Sequence, residues 1–263
     1  MSGHRLLTAE REERILQLLR GARVMTVAAL SRALEVSEAT IRRDLQSMDE
    51  RSLLTRVRGG ASLNPLTRVE PLFADKEGKN TDEKQHIGRA ALQLVDDHDT
   101  IYLDGGSTIL AFAQMLSERR GLTIVTNSLM AAASLMNSDH RLILVGGEFR
   151  TLSRTLVGPL TLPIISTLNV DKAFMGTIGL TIPDGMTTTD PGEAFTKEQI
   201  MRRANQVILL ADHTKLGVPS FARSGDISDI DILVTDAIDE QLSTELENCG
   251  VRVIVADPNH EPC

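Results

Sequence analysis

Three features of the 263-residue sequence predict a two-domain α/β protein. Three short amphipathic helices and a β-hairpin crowd into residues 1–60. From residue 81 onward, apolar strand-like runs alternate with amphipathic helices, the pattern of a mostly parallel, doubly wound sheet covered on both faces. The charge divides along the same line. Residues 1–60 hold eleven arginines, no lysine and eight acidic residues, a balance of +3, whereas the whole chain carries −8 and the remainder therefore −11. Two parts of opposite sign imply different partners.

The first helix covers "TAEREERILQLLR", residues 8–20, with Thr8 as its cap and Gly21 as its stop. The second begins after Thr26, a fitting N-cap, and places Val27, Leu30 and Leu34 on one stripe. "EVS" makes a tight turn. The third helix starts at Ser37 and carries Ile41, Leu45 and Met48 at spacings of four and three. "LLTRVRGGAS" then reads as a short strand entering a Gly-Gly turn. The sum is a winged helix-turn-helix.

On a helical wheel Leu45 and Met48 fall within roughly 40° of Ile41, while Arg43 points almost directly away, near 200°. Ala39, Gln46 and Arg42 flank Arg43, and Thr40 lies to its other side. Asp44 borders the core face and is placed to meet a neighbouring arginine. Ser37 caps the helix, where free N–H groups can also meet phosphate. This arrangement suits a helix lying in the DNA major groove, with Arg43 for a base edge, Arg42 for backbone, and Arg56 and Arg58 supplied by the wing. An Arg pair on a solvated helix usually does nothing of the kind. Here the preceding helix, the wing and the local charge favour double-stranded DNA. The stretch "VSEATIRRDL" with a wing ending in "GGA" resembles the N-terminal domain of the DeoR family of bacterial transcriptional regulators. Two departures stand out: Ser52 where a Gly usually ends the helix, and Arg58 where a His is common.

Residues 61–80, with two prolines and no clean period, read as a linker. The second domain is expected over residues 81–257, with a short tail at 258–263. In "IYLDGGSTILAF", Asp104 ends a strand, Gly105 and Gly106 turn, and Ser107 and Thr108 open a helix whose N–H groups favour an anion. Glycines here suggest close approach of a ligand to the backbone. Similar strand ends occur at "VTNS" (Thr126, Asn127), "VGGEF" (Gly146, Gly147) and "MGTIG" (Gly176). Parallel strands gather such ends along one edge, where open α/β sheets bind ligands. "EAFTK" sets Glu193 and Lys197 at i, i+4, either a surface ion pair or part of the pocket. "ADHTK" brings Asp212 to a strand end and Lys215 into the next loop. His213 reads as a local hydrogen-bonding residue.

These motifs resemble the DeoR-type sensor domain, which is similar in fold to ribose-5-phosphate isomerase. The resemblance implies a phosphorylated sugar or related metabolite as effector. The isomerases carry two nearby Asp residues at a strand end. In "VDKAFMG" only Asp171 is present, so the expectation is sensing without turnover, with no catalytic residue and no cofactor. A sugar-phosphate isomerase with a DNA-binding appendage is the alternative.

Composition narrows the field further. With no Trp, one Tyr and six Phe, stacking of single-stranded bases is disfavoured. Two cysteines, Cys249 and Cys263, lack metal or redox spacing and point to a reducing compartment. The histidines show no metal-ligand spacing. No apolar run nears the ~20 residues of a membrane span, and the charged N-terminus lacks a signal-peptide core. The expectation is a cytoplasmic repressor that works as a dimer or tetramer, because one winged helix offers few base contacts.

Overall fold

The computed structural model describes residues 8–22, 24–50, 53–57, 59–62 and 70–257. The chain divides into two compact units, Met1–Thr67 and Arg68–Cys263.

The first unit contains α1 (Thr8–Ala22), β1 (Val24–Thr26), α2 (Val27–Leu34), α3 (Glu38–Glu50), β2 (Thr55–Val57) and β3 (Gly60–Ser62). Thr26 caps α2, its hydroxyl accepting from Ala29 N at 3.2 Å. Glu35 ends α2 in the left-handed region at φ 54°. The predicted stripes are buried: Ile15, Leu19, Val27, Leu30, Leu34, Ile41, Leu45 and Met48 form one core. Two details differ from the sequence reading. Helix α1 runs one residue past Gly21. The wing is a three-stranded sheet, order β1-β3-β2, because the residues between α1 and α2 pair antiparallel with β3. That pairing explains the second wing glycine: a Cβ on Gly60 would lie 2.1 Å from Met25 O.

The second unit begins with α4 (Phe73–Glu77) and α5 (Thr81–Leu92). Then follow β4 (Thr100–Leu103), α6 (Ser107–Ala113), β5 (Thr123–Thr126), α7 (Leu129–Leu135), β6 (Arg141–Leu144), β7 (Glu148–Arg150) and β8 (Thr155–Val157). The chain continues through α8 (Leu162–Ile165), β9 (Val170–Met175), β10 (Gly179–Thr181), β11 (Gly185–Thr188), α9 (Pro191–Met201) and β12 (Ala204–Leu210). It closes with β13 (Ala222–Gly225), β14 (Ile232–Thr235), α10 (Glu240–Asn248) and β15 (Arg252–Val255). Seven strands form one sheet in the order β15-β14-β12-β9-β4-β5-β6, every pairing parallel.

Alternate strand residues serve the two faces, as a period of two requires. Ile101, Leu103, Ile124, Phe174 and Ile208 pack under α5, α6 and α7. Tyr102, Val125, Ala173, Met175 and Leu209 pack under α8, α9 and α10. Phe112 of α6 meets Phe174 of β9 with ring centroids 4.5 Å apart.

The expected linker at 61–80 is corrected at both ends. Ala61 and Ser62 belong to β3, and residues 70–80 pack on the second unit through α4. Phe73 is buried there and its N–H donates to Leu152 O at 3.0 Å. One buried aromatic in a polar, proline-containing stretch carries no period, so sequence pattern did not mark it. The β7–β8 hairpin and the small sheet β10-β11-β13 were also not anticipated, since three- and four-residue strands are too short to show alternation.

Candidate functional site

In the first unit, the surface of α3 is built from its buried face outward. Asp44 accepts a two-pronged ion pair from Arg11 of α1, Nε to Oδ2 at 2.6 Å and Nη2 to Oδ1 at 2.9 Å. Both side chains are buried, and the pair sets the roll of α3 against α1. Ser37 Oγ accepts from Thr40 N at 3.2 Å and shares a 2.9 Å hydrogen bond with Thr40 Oγ1. Ala39, Arg42, Arg43 and Gln46 are exposed on the opposite side, while Thr40 is half-buried. The two arginines differ. Arg42 Nη2 is held by Glu38 Oε2 at 2.7 Å, one turn earlier. Arg43 makes no side-chain ion pair or hydrogen bond among the described residues. Arg56 projects from exposed β2, whose backbone N–H at that residue donates to Asp49 Oδ1 at 3.1 Å. Arg58 lies outside the described residues.

In the second unit a cavity of about 310 Å³ opens at the C-terminal ends of β4, β9 and β12. Chain order reverses between β4 and β9, so this is the topological switch point where α/β sheets place ligands. The structure brings together Gly105, Gly106, Ser107 and Thr108 after β4, Gly176 after β9, and Asp212 and Lys215 after β12. Glu193 and Lys197 of α9 complete this set.

Five expected residues do not line the cavity: Asp104 lies beneath it, and four others lie elsewhere. Thr126 and Asn127 are staples: Thr126 Oγ1 donates to Leu103 O at 2.7 Å, and Asn127 Nδ2 donates to Leu156 O at 3.0 Å. Gly146 faces Ile164, and Gly147 is pressed against Thr161 and Val157. The ends of β5 and β6 fall outside the cavity because the β7–β8 hairpin occupies that edge, joined to it by the Ser128–Thr155 bridge. Two of the three cavity glycines have a different reason from the one expected, whereas Gly106 sits at φ 128° with nothing within 4 Å of a Cβ. A Cβ on Gly105 would meet Thr155 Cγ2 at 2.2 Å, and one on Gly176 would meet Gly105 O at 2.7 Å. They let loops approach each other.

The i, i+4 pair of Glu193 with Lys197 does not form. Lys197 Nζ turns inward to Asp104 Oδ2 and donates to Gly176 O at 2.9 Å. Asp104 Oδ2 also accepts from Gly176 N at 3.0 Å. Both side chains are buried, so Lys197 is a neutralised floor. Glu193 instead accepts from Thr188 Oγ1 at 2.6 Å. Asp212 accepts from Thr214 N at 3.1 Å and Asn80 Nδ2 at 3.4 Å. Asp171, read as the surviving acid of an isomerase pair, sits at the opposite end of the sheet, accepting from Thr100 N at 2.8 Å. His213 pairs locally with Asp236, its Nδ1 at 2.6 Å from Oδ2.

The residues that sequence reading missed come from the supposed linker and the start of α5. Glu70, Lys76, Lys79, Asn80 and Lys84 all line the cavity. Lys84 is buried, and its Nζ donates to the carbonyls of Lys76 and Lys79. Among the described residues, Lys79, Lys84 and Lys215 have no carboxylate at ion-pairing distance. Burial holds the Lys84 ammonium below its ordinary range, Asp212 partly offsets this, and the charge of Lys215 lowers it further. Like charges gathered in a half-enclosed space make a ready counterpart for an anion. The three lysines of "ADKEGKNTDEK" were the available signal, but lysines in a polar stretch are ordinarily just solvated. Among the described residues no group of His, Cys, Asp or Glu is placed to hold a metal ion, and no helix is long and apolar enough to cross a membrane.

Comparison with known proteins agrees with both halves of this geometry. Residues 11–66 match the model of the DeoR-like helix-turn-helix domain, and residues 79–237 match that of the DeoR C terminal sensor domain. The chain is 34% identical to the HTH-type transcriptional regulator GlpR of Haloferax volcanii over 252 residues, 95% of this chain and 98% of that protein. It is 32% identical to the HTH-type transcriptional repressor GlcR of Bacillus subtilis over 250 residues, 94% and 96% of the two chains. The glycerol-3-phosphate regulon repressor of Escherichia coli is 34% identical over 229 residues, 87% and 90%. Among solved structures, ribose 5-phosphate isomerase A of Methanocaldococcus jannaschii overlaps 52% of this chain and 55% of its own, at 21% identity and a TM-score of 0.40. With a helix-turn-helix model and a sensor-domain model each matched in sequence order, the chain belongs to the DeoR family of DNA-binding transcriptional regulators.

Proposed function

We propose that this protein is a cytoplasmic repressor of a carbon-metabolism operon, released or engaged by a phosphorylated sugar or related metabolite bound in the β4–β9–β12 cavity. The observation that carries the effector class is the set of Lys79, Lys84 and Lys215, none paired with a carboxylate among the described residues, beside the hydroxyls of Ser107 and Thr108. A phosphate supplies the missing negative charge and accepts from both kinds of donor. The cavity volume of about 310 Å³ suits a small sugar phosphate. The similarity to the glycerol-3-phosphate regulon repressor of Escherichia coli points the same way.

Four acids at or under the cavity support sensing over turnover, because each is already engaged. Asp104 holds Lys197, Glu193 holds Thr188, Asp212 holds Thr214, and Glu70 holds Lys76. On the DNA side, α3 enters the major groove with Ser37, Ala39, Thr40, Arg42, Arg43 and Gln46 toward the duplex. Arg56 and Arg58 follow the backbone from the wing. A useful operator then needs two half-sites and an oligomer.

A thermal-shift screen of the full chain against triose, pentose and hexose phosphates tests the effector reading. Binding to the native state raises the melting temperature, and the rise is lost in Lys84→Met. Equal shifts with the unphosphorylated sugars would sink the phosphate assignment. A turnover assay on the same compounds is expected to be flat.

A further inference from the structure

The wall of the cavity contributed by residues 70–84 is the first described stretch of the second unit. The chain runs directly from it to the DNA-binding unit, which ends at Thr67. That wall is tied down at one buried carboxylate. Glu70 Oε1 takes Lys76 Nζ at 2.5 Å, and Oε2 takes Thr189 Oγ1 at 2.6 Å and the Arg150 guanidinium at 2.6 Å. Arg150 stands on β7 and reaches on to Asp190 Oδ2 at 3.5 Å and Glu193 Oε2 at 3.9 Å, at the start of α9. The same hairpin grips the wall twice more: Leu152 O accepts from Phe73 N at 3.0 Å, and the Arg154 guanidinium lies 5.3 Å from the Phe73 ring centroid. Arg154 holds a left-handed backbone, φ 56°, to do so.

We propose that Glu70 is the positioning residue that couples occupancy of the cavity to the DNA-binding unit. The inference rests on the cavity being the effector site. Lys76 is shared: it lines the cavity and also balances Glu70. Its carbonyl, in turn, is held by Lys84 Nζ. An anion entering beside Lys84 and Lys79 attracts Lys76 as well, and any movement of its ammonium toward the anion weakens the bond to Glu70. Glu70 is then held only by Arg150 of the β7–β8 hairpin and by Thr189 ahead of α9, and the wall loosens at its Glu70 end. A ligand shifts this balance only through such differential contact with the tied and loosened states. Glu70 need touch neither DNA nor the effector; it acts through Lys76 and Arg150.

The test uses full-length protein, a duplex selected by it from a random DNA library, and a panel of hexose, pentose and triose phosphates with inorganic phosphate. In wild type, the binding phosphate raises the melting temperature and changes DNA affinity at least tenfold. Glu70→Gln without ligand should already lie at least fivefold toward the occupied value. Adding the phosphate should then change its DNA affinity less than twofold while still raising its melting temperature. Lys76→Met should reproduce the ligand-free shift, and Glu70→Asp should restore part of the response. Lys172→Met, which removes ion pairs to Asp96 and Asp99 at the other end of the sheet, serves as the control for general loosening and should leave DNA affinity unchanged. Wild-type DNA affinity with a full response in both Glu70→Gln and Lys76→Met overturns the coupling role. A ligand-free shift of equal size in Lys172→Met also overturns it. If no phosphate raises the wild-type melting temperature, the effector reading fails, and the role of Glu70 then stands or falls on the ligand-free shifts alone.

Discussion

The reader surface and the sensor cavity both gather cations, and they hold them in different ways. On α3 the arginines are exposed. Among the described residues Arg43 has no side-chain partner, and Arg42 is held by an exposed glutamate worth about 0.3–0.5 kcal/mol as an i, i+4 pair. In the cavity the cations run inward from the rim: Lys79 is exposed, Lys215 is half-buried, and Lys84 is buried with carbonyls for neighbours. Exposed charge is cheap to hold and is screened by salt; enclosed charge is costly to hold and is screened little. DNA, a polymer of phosphates, can be met by many weak, salt-sensitive contacts. A single small anion has to be met by a few strong ones. The scaffolding follows suit. One buried pair, Arg11 with Asp44, orients the reader helix, whereas two buried clusters, Asp104–Lys197 and Glu70–Lys76–Arg150, frame the cavity.

The comparison breaks most severely at the cavity floor. Lys197→Met leaves the Asp104 carboxylate buried with the Gly176 N–H as its remaining hydrogen-bond donor, and removing one partner of such a pair costs about 3–5 kcal/mol. Differential scanning calorimetry should show a fall of roughly 10 °C for a unit of this size. The double variant Asp104→Leu/Lys197→Met should recover much of it, since no charge is then stranded. Equal melting temperatures for the single and double variants would mean that the pair is not a unit.

Next in size are the reader arginines. Arg43→Ala is expected to cost about 1–3 kcal/mol at one base pair and to relax discrimination there. Arg56→Ala should weaken all sequences alike and reduce the salt slope of binding by about 1. Quantitative shift assays on operator variants from low to high salt separate the two. A purely uniform loss in Arg43→Ala would reassign it to backbone, and the base-reading role on α3 would pass to Arg42 in its Glu38-held position.

A smaller effect concerns pH. Burial alone would raise the Glu70 carboxyl. The Lys76 charge, the hydrogen bonds from Lys76 and Thr189 and the Arg150 charge outweigh it, and its folded-state value lies below the ordinary 4.5. Asp190 and Glu193 face the same guanidinium from the start of α9. A depressed folded value contributes stability that is present above pH 4.5 and lost as pH falls through the folded value. The urea midpoints of wild type and Glu70→Gln should therefore differ at pH 7 and converge between pH 4.5 and acid. A constant gap would show that the lost contact is packing, not charge.

The smallest effect is expected at Tyr102. Its ring is fully buried in the sheet core, and its hydroxyl has no hydrogen-bond partner among the described residues. Burial, with the Asp104 charge, holds the phenol well above its ordinary range. Tyr102→Phe removes an unpaired polar atom and should leave stability unchanged or raise it by about 1 kcal/mol. A marked loss would reveal a buried partner such as an ordered water.

Regular periodicity made most of the fold legible. Ile41, Leu45 and Met48 lie on one stripe, and each is buried; Ser37 and Thr26 stand at helix starts, and each caps one. The continuous apolar runs at Ile101–Leu103 and Ile208–Leu210 become central parallel strands packed on both faces. The strand-end motifs were half legible. Seven of the candidate residues they supplied line the cavity, beside Glu193 and Lys197 of α9. Thr126, Asn127, Gly146 and Gly147 carry the same local chemistry but do not, since a motif says what a strand end can bind and not which strand ends are neighbours.

By itself, then, the sequence determined the two-part plan, the reader helix and its outward arginine, because local spacing, capping and charge decide those within a few turns of chain. Only the tertiary structure decided that Lys197 is spent on Asp104, that Lys84 and Lys79 line the cavity, and that the stretch read as a linker forms its wall. Those outcomes depend on contacts between residues up to 132 positions apart, as between Asn80 and Asp212. Whether a buried charge is free or already paired is set by such neighbours, which no local pattern contains.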